Sequence, residues 1–315
     1  MTSLTLDNTA TAPRPDHSRT TGALAAFGAV LIWAAWIVGT RQAVTHALDP
    51  YAIGFLRFAV PGIVFAPVWW RSGLRPRGVS YATMLGLMGA GAPFFVTVAM
   101  AMRHATAAEI GPLLTGSMPL IVAVLTATLF RERLGASRII GLVLILAGIA
   151  AIGGRDALAG AQGWRAHVLL LAGAAMWAVY TLAYKHSGLS SVTATAVVSA
   201  WSAMALAPLG VPSLITAVHA GLTTAVITQA VIQGVLSGVV AILLYGLAIT
   251  RLGASGGAAF VALVPAFAAI MAIPVLGEWP GAPAIIGILA TTLGVALSSG
   301  VLRMLPRRAP RVAQA

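Results

Sequence analysis

Ten stretches of apolar residues, most close to 20 long, follow one another along the chain with short polar interruptions, at roughly 22–42, 51–70, 79–102, 107–130, 136–153, 165–185, 191–213, 225–249, 254–276 and 281–302. A helix needs about 20 such residues to cross a bilayer, so the spacing predicts an all-α integral membrane protein with ten transmembrane helices. Composition agrees. Of 315 residues, 59% are hydrophobic and 8% charged, whereas soluble domains carry about a quarter charged residues. The first twenty residues, MTSLTLDNTATAPRPDHSRT, read as a disordered polar tail. The first run lies farther from Met1 than a signal's apolar region would and lacks the small-residue cleavage site expected after one, so it reads as a retained helix. There is no cysteine, hence no disulfide and no thiolate site for metal or catalysis.

Ten spans put both termini on one side, and the basic residues say which. The tail side receives fourteen Lys and Arg: Arg14, Arg19, Arg71, Arg75, Arg77, Arg131, Arg133, Arg138, Lys185, Arg251, Arg303, Arg307, Arg308 and Arg311. The other side receives four, Arg41, Arg103, Arg155 and Arg165, with Arg57 inside the second run. This asymmetry predicts cytoplasmic termini. It also accounts for the net charge of +12 through topology and anionic lipid, without nucleic acid as a partner.

The chain repeats itself. Residues 111–154 laid on 257–300 align without a gap, pairing Gly111 with Gly257, Pro119 with Pro265 and Glu132 with Glu278. Apolar matches are cheap in this composition, but only three glutamates exist and two of them pair. LIWAAW (31–36) and AMWAVY (175–180) echo each other, aligning Trp33 with Trp177 and Arg41 with Lys185. Two five-helix halves result. Because five is odd, the second half enters the membrane inverted, the plan of many secondary transporters. The expected organisation is a polar tail (1–21), a first repeat (22–154), a connecting loop (155–164), a second repeat (165–302) and a basic tail (303–315).

LIWAAWIVGTRQAV (31–44), LDPYAIGFLRFAVPGIVF (48–65) and the long stretches 105–152 and 252–297 resemble the EamA-type drug/metabolite transporter superfamily. The usual Trp-Gly near the start of each half is Trp33-Ala34 and Trp177-Ala178 here. The resemblance implies an inner-membrane exporter of small metabolites, often amino acids. It also implies a central cavity walled by helices 1–4 and 6–9, with helices 5 and 10 peripheral. Another metabolite or a drug-like compound is the alternative cargo within the same family.

Pro119 and Pro265 are read inside the fourth and ninth spans, where each removes a backbone donor opposite Thr115 or Val261. They serve as hinges or as static kinks. Glu132 and Glu278 each close such a span just before the next helix, where an acid suits the following helix dipole; a gate contact made in one state is the alternative. Arg57 is the one basic residue deep in a run, and an intramembrane charge is a functional hypothesis by default. It braces the second helix, binds a substrate carboxylate, or snorkels. Trp33, Phe94, Trp177, Tyr180, Trp201 and Tyr245 are candidates for the cavity wall, with ordinary packing as the competing role. The seven-residue glycine spacing Gly141/Gly148 and Gly287/Gly294 supports close packing, within the fold or in a homodimer.

No phosphate-binding Gly-x-x-x-x-Gly-Lys-Ser/Thr loop is present. None of the seven acids or six histidines falls mid-span, so a proton relay of the usual kind is not expected. Glu109 with His104 is the one rim candidate. The same absence disfavours an intramembrane enzyme, which needs a nucleophile and base or metal ligands within reach of each other. A scaffold has no need of an inverted duplication. The expected partners are therefore a small-molecule substrate and the bilayer, with no cofactor, as a monomer or homodimer.

Overall fold

The computed structural model describes residues 17–129, 131–132, 134–158 and 163–299. The basic tail, the first sixteen residues and the middle of the connecting loop lie outside the described residues. Ten helical spans run through the described chain: α1 His17–His46, α2 Pro50–Val64, α3 Tyr81–Ala101, α4 Ala107–Leu129, α5 Ala136–Leu158, α6 Gly163–Ser187, α7 Ser191–His219, α8 Thr223–Gly253, α9 Gly256–Leu276 and α10 Ala282–Ser298. Eight are long and apolar enough to cross a bilayer alone; α10 is shorter. The remaining one, α2, bends by 72° into a short helix Ala66–Ser72. The second run is thus a broken span where an unbroken helix over 51–70 was expected. Pro67 lies just beyond the break, and Trp69 Nε1 donates to the Gly62 carbonyl across it (2.8 Å). Helix α1 starts at His17, inside the stretch read as polar tail, and α5 runs on to Leu158, past the expected loop boundary at 155.

Local chemistry sets the ends. Asp49 accepts from Tyr51 N–H (2.8 Å) ahead of Pro50, Ser80 caps α3 and Ser190 caps α7, each satisfying donors that a helix leaves open. Thr106 and Glu109 form a capping box at the start of α4. The spans α4 and α9 end in matching turns. Arg131 (φ 52°) and Gly277 (φ 68°) are both left-handed, and the next amides, Glu132 N and Glu278 N, each reach back 3.4 Å to Thr126 O and Ala272 O. All three residue pairs are 146 apart, so one helix-ending turn is used twice. Gly277 adopts it without penalty, whereas Arg131 carries a cost of about 1–2 kcal/mol.

Packing obeys the repeat. Helix α1 packs on α8 and its mate α6 on α3; α1 packs on α9 and α6 on α4; α2 packs on its own mate α7, and α5 on α10. The glycine seam belongs to this last pair. A Cβ at Gly141 would sit 2.5 Å from Gly294 O, and one at Gly148 2.9 Å from Gly287 O. The four glycines thus bring α5 and α10 together within one chain. On their outer faces Ile140, Leu146, Ile286, Leu289 and Leu293 are exposed, an apolar surface suited to lipid.

Candidate functional site

The faces are defined by α1: the near face is where it begins, the far face where it ends. Between the two halves lies a cavity of about 170 Å³. Trp33, Trp36 and Ile37 of α1, Arg57 of α2 and Phe94 of α3 form part of its wall. The rest comes from α4 (Leu114, Thr115, Met118), α6 (Trp177), α8 (Tyr245) and α9 (Val261, Val264). Helix α7 does not contribute, although the resemblance implies that it should; α5 and α10 lie outside.

The wall repeats with the fold. Trp33 meets Tyr245 edge-on at 5.1 Å, and its mate Trp177 meets Phe94 at 5.1 Å. These are the α1–α8 and α6–α3 contacts, so two symmetry-related aromatic pairs flank one space. Thr115 and Val261, 146 apart, also both reach it. Ala34 and Ala178, where the Trp-Gly pattern loses its glycine, are fully buried behind the tryptophans. Tyr180 sits outside the cavity, 5.2 Å from Trp177 and stacked on Tyr184. Trp201 is elsewhere: it is 43% exposed and donates to Leu74 O at the near face.

Neither paired proline interrupts a continuous α-helix, as the interior placement would require. A π-helical segment Gly111–Gly116 precedes Pro119, and turns at Ala262 and Leu263 precede Pro265. Each proline is the second residue of the helix that follows, Met118–Leu129 or Val264–Leu276, where a missing N–H costs little. The breaks lie level with the cavity, as their neighbours Met118 and Val264 show.

Arg57 breaks the symmetry, since α7 contains neither Arg nor Lys. Its Nη1 donates to Gln233 O (3.1 Å) and Ser237 Oγ (2.5 Å), and its guanidinium lies 5.7 Å from the Trp36 ring centroid. Behind it runs a buried polar chain. Gln233 Nε2 donates to Thr40 Oγ1 (2.7 Å) and to Gln229 Oε1 (3.0 Å), and Gln229 Nε2 donates to Gly39 O (3.0 Å). This chain went unread in the sequence. Its signal was there in QAVIQGVLSG (229–238): Gln229, Gln233 and Ser237 recur every four residues in an apolar run, one face of a helix.

The faces differ. At the far face Glu278 binds Arg41 Nε (2.5 Å) and accepts from Ala107 N–H (2.8 Å), and Arg41 also donates to Met102 O. One carboxylate therefore ties the end of α1, the start of α4 and the end of α9. The dipole it serves is that of α4, not of the helix following it. Alongside, Gly111 packs so closely that its Cβ would meet Pro265 Cα at 2.7 Å. Among the described residues the repeat-equivalent contacts at the near face are not made. Glu132 pairs instead with Arg138 at 3.7 Å and is 49% exposed. Glu132 and Lys185 line a 250 Å³ space between α4 and α6, with no ion pair between them among the described residues. Gly257 has Ile249 and Tyr245, not Pro119, as its nearest neighbours. The rim residue Glu109 faces His167 (4.0 Å) and its own capping box.

Sequence comparison matches residues 20–154, and again 164–300, to the EamA-like transporter family. The chain belongs to that family. It is a multi-pass membrane transporter of small molecules, built from two inverted EamA-like repeats. This EamA-like transporter also shares its fold with a solved structure described only as "Crystal structure of protein", at 20% identity and a TM-score of 0.57, over 92% of this chain and 100% of that one. No curated protein matches it. No three His, Cys, Asp or Glu among the described residues are placed to hold a metal ion.

Proposed function

We propose that the chain exports small organic metabolites, amino acids foremost, across the inner membrane by alternating access, with the near face and both termini cytoplasmic. The observation that carries this reading is the asymmetry of two repeat-related latches: Glu278 with Arg41 and Ala107 N–H is engaged, and Glu132 with Lys185 is not. Inverted halves that exchange conformations exchange these latches, opening the cavity to one side and then the other. Sidedness is supported by the Lys and Arg excess on the near face. Cargo size is supported by the 170 Å³ cavity, below the roughly 300–1,000 Å³ of drug-sized sites. Two prolines beside Thr115 and Val261 mark the bending points.

Purified protein in proteoliposomes, screened with a panel of radiolabelled amino acids, tests the proposal. Saturable flux of at least one of them, with counterflow of the unlabelled form, is the expected result. Flux that rises linearly without saturation would overturn alternating access, and flux confined to other metabolites would overturn the amino acid assignment.

A further inference from the structure

The transport reading leaves open what the cavity recognises, and the polar groups on its wall are few. Among the described residues Arg57 is the only cationic side chain there, and no Asp or Glu reaches the wall. The acids whose side chains are described lie at the two faces, each against a basic group of its own: Asp49 with Arg103, Glu109 with His167, Glu132 with Arg138 and Glu278 with Arg41. Arg57 therefore carries a charge into a largely apolar site without a counter-ion, an arrangement that costs free energy until an anion arrives.

Its donors are only partly used. Nη1 makes both hydrogen bonds to α8, to Gln233 O and Ser237 Oγ. Nε and Nη2 have no acceptor among the described residues, and together they form the side-on edge of the guanidinium that matches the two oxygens of a carboxylate. The α8 contacts and the Trp36 ring hold the group in place, so bracing and ligand binding use different nitrogens of one side chain. Trp36 adds a second donor: its Nε1–H is buried without an acceptor, on the ring over which Arg57 lies. Away from Arg57 and Trp36 the wall is the two aromatic pairs, apolar side chains and Thr115, whose hydroxyl donates to Gly111 O of its own helix (2.8 Å). A dry cavity of about 150 Å³ admits a benzene ring, so 170 Å³ accepts a compact apolar body. Among the described residues no carboxylate on the wall waits for an ammonium group.

We infer that the cavity selects its cargo by a carboxylate, held side-on by Arg57 next to Trp36, with an apolar body between the aromatic pairs, and that it does not require the amino group. Monocarboxylates lacking the amine are therefore ligands alongside amino acids. This inference rests on the transport reading of the same cavity.

The test is direct binding to the purified protein, followed by tryptophan emission from Trp33, Trp36 and Trp177, using phenylalanine, 3-phenylpropionate and phenethylamine. The expected result is that the first two bind with Kd values within about threefold of each other and phenethylamine at least tenfold more weakly, as loss of a charge-assisted pair requires. Arg57→Gln erases the difference between acid and amine, and Arg57→Lys restores part of it without the side-on geometry. Phenethylamine binding as tightly as 3-phenylpropionate, or neither acid binding, overturns the inference on the wild-type protein, whatever Arg57→Gln does to folding. A folded Arg57→Gln protein that keeps the preference also overturns it. Saturable flux of amino acids with no carboxylate preference would sink this inference and leave the transport reading standing, whereas carboxylate binding without flux would do the reverse.

Discussion

Replacing Glu278 by Gln removes the charge of the far-face latch and keeps its size. The carboxylate makes two charge-assisted contacts, 2.5 Å to Arg41 Nε and 2.8 Å from Ala107 N–H, with side chains 15% and 19% exposed for Arg41 and Glu278. A hydrogen bond to a charged group contributes about 1.5–3 kcal/mol. The amide oxygen of Gln retains one neutral acceptor, and partial exposure screens the pair, so the net loss is about 1.5–2 kcal/mol. If the latch exists only in the far-closed state, all of that loss falls on one side of the equilibrium. At about 1.4 kcal/mol per tenfold, the far-open population should rise about 10- to 30-fold.

The chain contains no cysteine, so Thr115→Cys places a single thiol on the cavity wall without prior stripping. Its labelling by a membrane-impermeant maleimide, applied from either face of oriented vesicles, reports which way the cavity opens. Glu278→Gln should speed far-face labelling about tenfold or more and leave near-face labelling equal or slower. A far-face rate within twofold of the parent, in folded protein, would refute the latch. Faster labelling from both faces would refute it too, since that is what general loosening of α1 and α4 produces.

Glu132→Gln should act in the opposite direction and slow far-face labelling of the same thiol, because its exposed pair with Arg138 contributes at most a few tenths of a kcal/mol in this state. Pro119→Ala and Pro265→Ala should leave folded yield near parental and slow the transport rate severalfold, since both prolines sit where a helix starts; equal loss of yield and rate would make them packing residues. Trp33→Ala or Trp177→Ala should raise the apparent KM for transport severalfold by removing one aromatic pair, worth about 0.5–1.5 kcal/mol beyond area burial, whereas Trp201→Ala should leave KM unchanged. Gly148→Leu should lower the Tm of detergent-purified protein by several degrees, because a Cβ there already meets Gly287 O at 2.9 Å.

What the sequence made legible was whatever the duplication wrote twice. Pairs such as Glu132/Glu278 and Gly141/Gly287, 146 apart, and Trp33/Trp177, 144 apart, could be read as equivalent because matching letters recur at nearly the same offset. They built equivalent turns, a helix seam and one tryptophan in each of the two aromatic pairs. The repeat was silent on two kinds of information. One is what only one half carries: Arg57 has no partner in α7, and the Gln229–Gln233–Ser237 stripe behind it has none in the first half, so an offset search passes over both. The other is state. Glu132 and Glu278 are the same residue in the same turn, yet one is engaged at 2.5 Å and the other is half exposed. Under the proposed alternating access, two copies of one sequence placed upside down cannot both make their far-side and near-side contacts while the cavity between them opens to one side, so one copy is found with its latch undone. On the proposed reading the symmetric residues specify the switch, and the asymmetric ones, Arg57 foremost, set the chemistry of the cargo.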